Sequence, residues 1–381
     1  MSVWSQLVGQ EPAIETLSAA VTDPESMTHA WLFTGPPGSG RSVAAKTFAA
    51  ALQCQQATGC GECTGCRTAL AGTHADVRLV VPEGLSISVA EMRALVQTAA
   101  RRPATGRWQI VIIADADRLT EGASNALLKA VEEPPARTVF LLCAPSDHPE
   151  DVSVTIRSRC RLVTLRTPPP EAIARVLIER DGIDEERARW AASVCGGHVG
   201  RARRLATDDA ARQRRAEVLR IPTTLRRPSD VFVAADVLIK AAEADAAEES
   251  KERDEAERDE LRTAMGGDGT GKGVAAAKRS AEAAVKALEK RQKSRATRTQ
   301  RDTLDLALVD LAGFYRDVLV VPSGSRLNHP DHAEHSTEAA RRWLPEQALS
   351  KLEAVLACRE AILWNVKPRI AVEAMVATLA E

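Results

Sequence analysis

Along the first 165 residues, short runs of consecutive apolar residues alternate with longer segments whose apolar positions recur every three or four residues. Runs bounded by polar or Gly/Pro turns predict buried strands, and helix-period segments between them predict crossovers of a parallel sheet. Five strands are expected: AWLFTG (30–35), VRLVV (77–81), QIVIIA (109–114), VFLLCA (139–144) and RLVTL (161–165). Helices are expected at SVAAKTFAAALQ (42–53), SVAEMRALVQTAA (88–100) and ASNALLKAVEE (123–133). Arg101-Arg102-Pro103 and Pro134-Pro135 stop the last two, since proline lacks the N–H that a helix needs. The fold class is α/β.

After TPPP (167–170) the pattern has no strands. EAIARVLIERD (171–181), DEERARWAASVC (184–195) and GRARRLATDDAARQRRAEVL (200–219) read as helices of a small second domain. Residues 241–301 are strongly charged: an acid-rich arm, a glycine-rich bend (MGGDGTGKG), then a base-rich arm. A charged helical hairpin and a disordered insert fit this composition equally, because few apolar residues are available to dock it. From 303 onward DLALVDLAGFYRDVLV, LPEQALSKLEAVLACREAILWN and RIAVEAMVATLA restore helical periodicity. The expected division is an α/β domain at 1–166, a helical domain at 167–210 and an all-helical domain at 211–381.

The chain has 381 residues, more than one compact core usually holds. No apolar run approaches the roughly twenty residues needed to cross a bilayer, and the N-terminus has no secretory pattern, so the cytoplasm is the expected compartment. A formal net charge of −1 argues against nucleic-acid binding by the whole surface, though it leaves local patches open.

Gly35-Pro36-Pro37-Gly38-Ser39-Gly40-Arg41-Ser42 follows one expected strand and opens one expected helix. That is the setting of a phosphate-binding loop, in which glycines let successive N–H groups and the helix N-terminus face phosphate oxygens. Ser42 would give a hydroxyl to Mg²⁺. Arg41 stands where a lysine is usual, and a wide planar guanidinium replaces a compact charge on a flexible stem; hydrolysis should suffer more than ATP or ADP binding. The strand that should end in an acidic pair reads Ala114-Asp115-Ala116-Asp117, leaving Asp115 unable to fill both roles; capping the next helix is the competing reading.

LVGQE (7–11), HAWLFTGPPGSGR (29–41), NALLKAVEEPP (125–135) and TIRSRC (155–160) together resemble the bacterial clamp-loader family of DNA polymerase III. GGHVGRARRL (196–205) and NVKPRIAVEAM (365–375) resemble its lid and collar helices. The resemblance implies an AAA+ domain, a lid and a collar. It also implies a ring-like assembly with gamma/tau and delta subunits that loads a sliding clamp onto primed DNA, with no membrane partner. The defective loop resembles the family's ATPase-deficient subunit rather than its gamma or tau motor. Ser158-Arg159-Cys160 matches the motif from which an arginine enters a neighbouring subunit's ATP site, and a guanidinium fork suits the γ-phosphate there.

Eight cysteines are present, and Cys54, Cys60, Cys63 and Cys66 crowd into one glycine-rich loop. Four soft ligands with no open position suit a structural Zn²⁺. Cys143, Cys195 and Cys358 lie in apolar segments and read as core residues. Two other readings remain: an active gamma/tau-type motor, and a free-standing zinc-containing DNA-binding protein using the basic arm 286–301.

Overall fold

The computed structural model describes residues 2–227, 229–265 and 274–381. The chain forms two compact units, Met1–Ala206 and Thr207–Glu381.

In the first unit, β1 (Ala30–Thr34), β2 (Val77–Val80), β3 (Gln109–Ile113), β4 (Thr138–Ala144) and β5 (Arg161–Thr164) form one sheet of order β2-β3-β4-β1-β5. Every pairing is parallel. β1, β3 and β4 are buried along their whole length, which is why they read as unbroken apolar runs and not as alternating ones. Each strand lies within one residue of its expected limits.

On one face α1 (Glu11–Thr22) and α2 (Arg41–Leu52) pack Leu17, Phe48 and Leu52 against Trp31, Phe33, Ile110 and Ile112. On the other, α4 (Val89–Ala99) and α5 (Glu121–Glu132) pack Met92, Leu95 and Leu127 against Leu32, Val111, Ile113 and Phe140. Between them come α3 (Thr64–Ala71) and later the short α6 (Val154–Arg157). α4 begins in a capping box, in which the Ser88 hydroxyl accepts from Glu91 N–H and the Glu91 carboxylate accepts from Ser88 N–H. α7 (Pro170–Glu179), α8 (Glu185–Val194) and α9 (Val199–Thr207) follow β5.

The single helix expected over 200–219 is two. Asp208 interrupts it: its carboxylate accepts from Ala210 N–H (2.8 Å) and starts α10 (Asp209–Thr224) as an N-cap, a role in which aspartate competes well with helix continuation.

The second unit is helical. α11 (Asp230–Met265), α12 (Val274–Val320), α13 (Ala333–Arg342), α14 (Pro345–Leu363) and α15 (Pro368–Ala380) join α10 around Leu238, Leu304, Leu308, Leu311, Phe314, Tyr315, Val355 and Val372. The charged arms belong to α11 and α12, which pack on one another; residues 266–273 of the glycine-rich bend lie outside the described residues. Arg295, nearly buried, donates to Asp254 and to Glu257 (2.6 Å), and Gln292 donates to the Asp254 carbonyl (3.1 Å). The Arg295 guanidinium, acting against partial burial, pulls the Glu257 carboxyl down to about 2. A seam of such groups fixes register, because sliding by one turn would strand each buried polar group.

Candidate functional site

The inner strand β1 delivers the chain into the glycine loop, and α2 begins at Arg41. Gly38 holds φ +87°, and a Cβ there would lie 2.8 Å from His198 Cα, so glycine is required both by the backbone angle and by the close approach. Residues just before α9 thus cover the loop. Gln10, buried, ties it from beneath: its amide donates to the carbonyls of Ser39 (3.2 Å) and Arg166 (2.6 Å), and its carbonyl accepts from Arg166 N–H (3.1 Å). The Ser39 hydroxyl is buried with no hydrogen-bond partner among the described residues, an orphan that a phosphate oxygen suits. Arg41, however, folds back and donates to the Gly35 carbonyl, inside the loop itself. Ser42 follows at the second position of α2.

Past β3, Ala114 is buried and Asp115 precedes a short 3₁₀ turn, Ala116–Arg118, without a capping hydrogen bond from its side chain to that turn. Burial first, and then the Asp115 charge, raise the Asp117 carboxyl above the usual range, with Arg118 and Arg41 opposing. Arg41, Asp115 and Asp117 also act on the Cys143 thiol of β4, which burial pushes up to about 12. The geometry therefore gathers Arg41, Asp115 and Asp117 at the C-terminal edge of the sheet. The usual carboxylate at the end of β3 itself is missing, since that position is the buried Ala114.

Arg159 lies just past the end of α6. Its guanidinium donates to the Thr155 carbonyl (2.9 Å) and the Ser158 hydroxyl (3.2 Å) and pairs with Glu132 of α5 (2.8 Å). Both partners of the ion pair are 40% exposed. Ser158 donates to the Thr155 carbonyl (3.1 Å). Cys160 is half-buried and burial pushes its thiol up to about 12, which makes it a packing residue.

The four loop cysteines converge: Cys54, Cys60, Cys63 and Cys66 place their sulfurs within 4.8 Å of one another. Cys54 Sγ is 3.7 Å from Cys60 Sγ and 4.0 Å from Cys63 Sγ. A zinc tetrahedron with bonds of about 2.3 Å has edges of roughly 3.8 Å, so the spacing fits. Burial opposes charge at Cys54, yet N–H groups of Cys60, Thr58 and Gln56 outweigh it and lower the thiol to about 5, ready to ligate as thiolate. Burial raises Cys66. Gly65 sits where a Cβ would fall 2.1 Å from the Gln53 carbonyl, and the N-terminal segment is laced to the loop by Val3 N–H to the Gly59 carbonyl (2.8 Å). His74 takes no place in the cluster.

His198, Gln10 and Glu132 were not singled out from the sequence. All three lie in the motifs LVGQE, NALLKAVEEPP and GGHVGRARRL, but nothing local marks His198 as a neighbour of Gly38, Gln10 of Ser39 or Glu132 of Arg159.

A five-stranded parallel sheet in this order, with a glycine loop passing from β1 into α2, defines a P-loop domain of the AAA+ type. Residues 9–169 match the sequence model of the family described as DNA polymerase III, delta subunit. The chain is 31% identical over 226 residues to DNA polymerase III subunit delta′ of Bacillus subtilis, an alignment covering 59% of this chain and 68% of that one. It is 39% identical over 158 residues to subunit delta′ of Escherichia coli, covering 40% of this chain and 46% of that one. A solved gamma-subunit-related protein of Thermotoga maritima overlays 97% of this chain and 98% of its own at 15% identity, with a TM-score of 0.45. The chain belongs to the delta-prime family of DNA polymerase III clamp-loader subunits.

Proposed function

We propose that this chain acts in a clamp-loading assembly as an ATPase-deficient subunit that delivers Arg159 to the ATP site of a neighbouring gamma or tau subunit. The carrying observation is the placement of Arg159 at the end of a helix turn, half-exposed and held through two hydrogen bonds and one ion pair. In phosphoryl transfer, charge spreads over the equatorial γ-phosphate oxygens, and a guanidinium fork meets two of them; such a finger is worth roughly 10³ to 10⁵ in rate in GTPases. Glu132 competes weakly, since an exposed ion pair is worth about 0–1 kcal/mol.

The chain's own loop supports the same reading. Backbone N–H groups from Gly38 to Ser42 and the Ser39 hydroxyl would hold phosphate oxygens, and Ser42 would reach Mg²⁺. Arg41 is engaged with the Gly35 carbonyl and Ala114 brings no carboxylate, so Asp115 alone would have to hold the metal and polarise an attacking water. Zinc, held by Cys54, Cys60, Cys63 and Cys66, supplies a structural cross-link. Residues 167–210 serve as the lid and 211–381 as the collar toward gamma/tau and delta, in the cytoplasm; the sliding clamp and primed DNA are met through the assembly.

Arg159→Ala in the reconstituted assembly should lower clamp-loading ATPase at least tenfold at the neighbouring site, about 1.4 kcal/mol or more of transition-state stabilisation, with assembly unchanged by gel filtration. ATPase at the level of the unsubstituted assembly would remove the finger role.

A further inference from the structure

The loop between α4 and β3 is held with unusual thoroughness for an exposed segment. Asp76, 2% exposed, accepts hydrogen bonds from the N–H groups of Ala104 (2.6 Å), Thr105 (2.8 Å) and Gly106 (2.6 Å) and from the Thr105 hydroxyl (3.0 Å). Burial opposes the Asp76 charge, but these four donors outweigh it and hold the carboxyl below its usual range. From the other side Gln53, 4% exposed and adjacent to Cys54, accepts from Arg107 N–H (2.9 Å) and donates to the Trp108 carbonyl (2.6 Å).

What these buried anchors hold up is arginine. Arg101, Arg102 and Arg107 are exposed on the loop. A fourth, Arg137, stands on the same rim: its carbonyl accepts from Gln109 N–H (2.8 Å), and the hydroxyl of the next residue, Thr138, donates to the Ala99 carbonyl at the end of α4 (2.9 Å). Arg137 has φ +62°, a left-handed angle uncommon outside glycine, maintained beside the anchored loop. Among the described residues none of these four guanidinium groups has a hydrogen-bond or ion-pair partner.

We propose that the rim of Arg101, Arg102, Arg107 and Arg137 binds the phosphate backbone of double-stranded DNA. Every position is arginine, whose fork matches phosphate oxygens in pairs. The loop backbone is already fixed, so binding orders side chains and not main chain. No large apolar residue is exposed between residues 100 and 108 or between 134 and 138 among the described residues, so the rim lacks the apolar anchor that a protein partner would use. It also lacks a free aromatic face for unstacked bases, because Trp108 is partly buried against the core beneath the sheet. A duplex backbone needs neither. Because the strands are parallel, this rim at the N-terminal ends of β3 and β4 lies at the opposite edge of the sheet from the phosphate loop, which follows the C-terminal end of β1. It is a binding surface separate from the chain's own phosphate loop.

The test is fluorescence anisotropy of the full chain with a labelled 20-base-pair duplex across a salt series. The triple variant Arg101→Gln, Arg102→Gln, Arg107→Gln should bind at least tenfold more weakly at low salt. Its log–log salt slope should be shallower by roughly 2 to 3, at about 0.9 for each phosphate that is no longer neutralised. Asp76→Asn makes the chain more positive, so diffuse attraction would tighten binding; loss of loop order should weaken it several-fold, and Thr105→Val, which deletes one of Asp76's donors, should do the same more mildly. Circular dichroism melts check folding. Unchanged affinity in the triple variant, absence of duplex binding by the parent chain at low salt, or tighter binding by Asp76→Asn would each overturn the proposal. Displacement of the duplex by polyglutamate as readily as by unlabelled duplex would overturn it in favour of an acidic polypeptide.

Discussion

Helix α2 carries a shaped loop at each end, and the two have fared differently. At its N-terminus the glycine loop keeps its geometry, because Gly38 cannot accept a Cβ against His198, yet the side chains that would act on a nucleotide are altered. Beyond its C-terminus the cysteine loop keeps both its geometry, with Gly65 pressed on the Gln53 carbonyl, and all four sulfur donors. Packing constrains a loop's shape whether or not its chemistry is used, whereas chemistry rests on single side chains that can change without disturbing the fold. A glycine motif is thus evidence of fold, and its polar residues are evidence of activity.

Removing metal should produce the largest effect on this contrast. Chelation, or Cys63→Ser, should lower the melting temperature of the metal-loaded chain by roughly 10 °C or more, since a structural site contributes several kcal/mol to folding and 1 kcal/mol moves a domain of this size by about 2–4 °C. Calorimetry with parallel zinc analysis reads this out; an equal melting temperature without zinc would make the cysteine loop as chemically idle as its counterpart. A smaller effect is expected from Arg41→Lys. It should tighten ATP binding roughly tenfold, about 1.4 kcal/mol, by freeing the loop carbonyl and restoring a compact charge. Turnover should stay absent because Ala114 still offers no carboxylate, and steady hydrolysis in this variant would show that the end of β3 is competent after all.

The smallest effect concerns Asp117. Its folded value is raised, so the fold favours the neutral acid: stability from this group is full below the unfolded value of about 3.9 and is lost as pH rises through the raised value. Asp117→Asn should therefore stabilise the chain toward urea at pH 7 and make no difference near pH 3. Equal curves at both pH values would place the cost of the phosphate-loop end elsewhere.

The sheet was legible in the sequence because β1, β3 and β4 are buried on both faces and leave no room for polar interruption. β4 begins one residue before its expected start because Thr138, polar in sequence, is buried with its hydroxyl on the Ala99 carbonyl, 39 residues away. The phosphate and cysteine loops were visible as local spacings. Long-range pairings were not: Glu132 with Arg159, Gln10 with Ser39 and Asp76 with residues 104–106 each join segments whose own patterns carry no sign of the other. The break at Asp208 was hidden by an apolar period that continues across it, with capping favoured over helix extension.

α12 runs without a break from the charged arm into the core of the second unit, 47 residues or about 70 Å at 1.5 Å per residue. Such a rod transmits angle as well as distance. One residue added between Arg295 and Leu304 would turn the arm by about 100° against the core, swinging Arg295 away from Asp254 and Glu257. Changes of length are therefore not tolerable along the shaft, which makes the helical phase of this segment a heritable constraint independent of its composition.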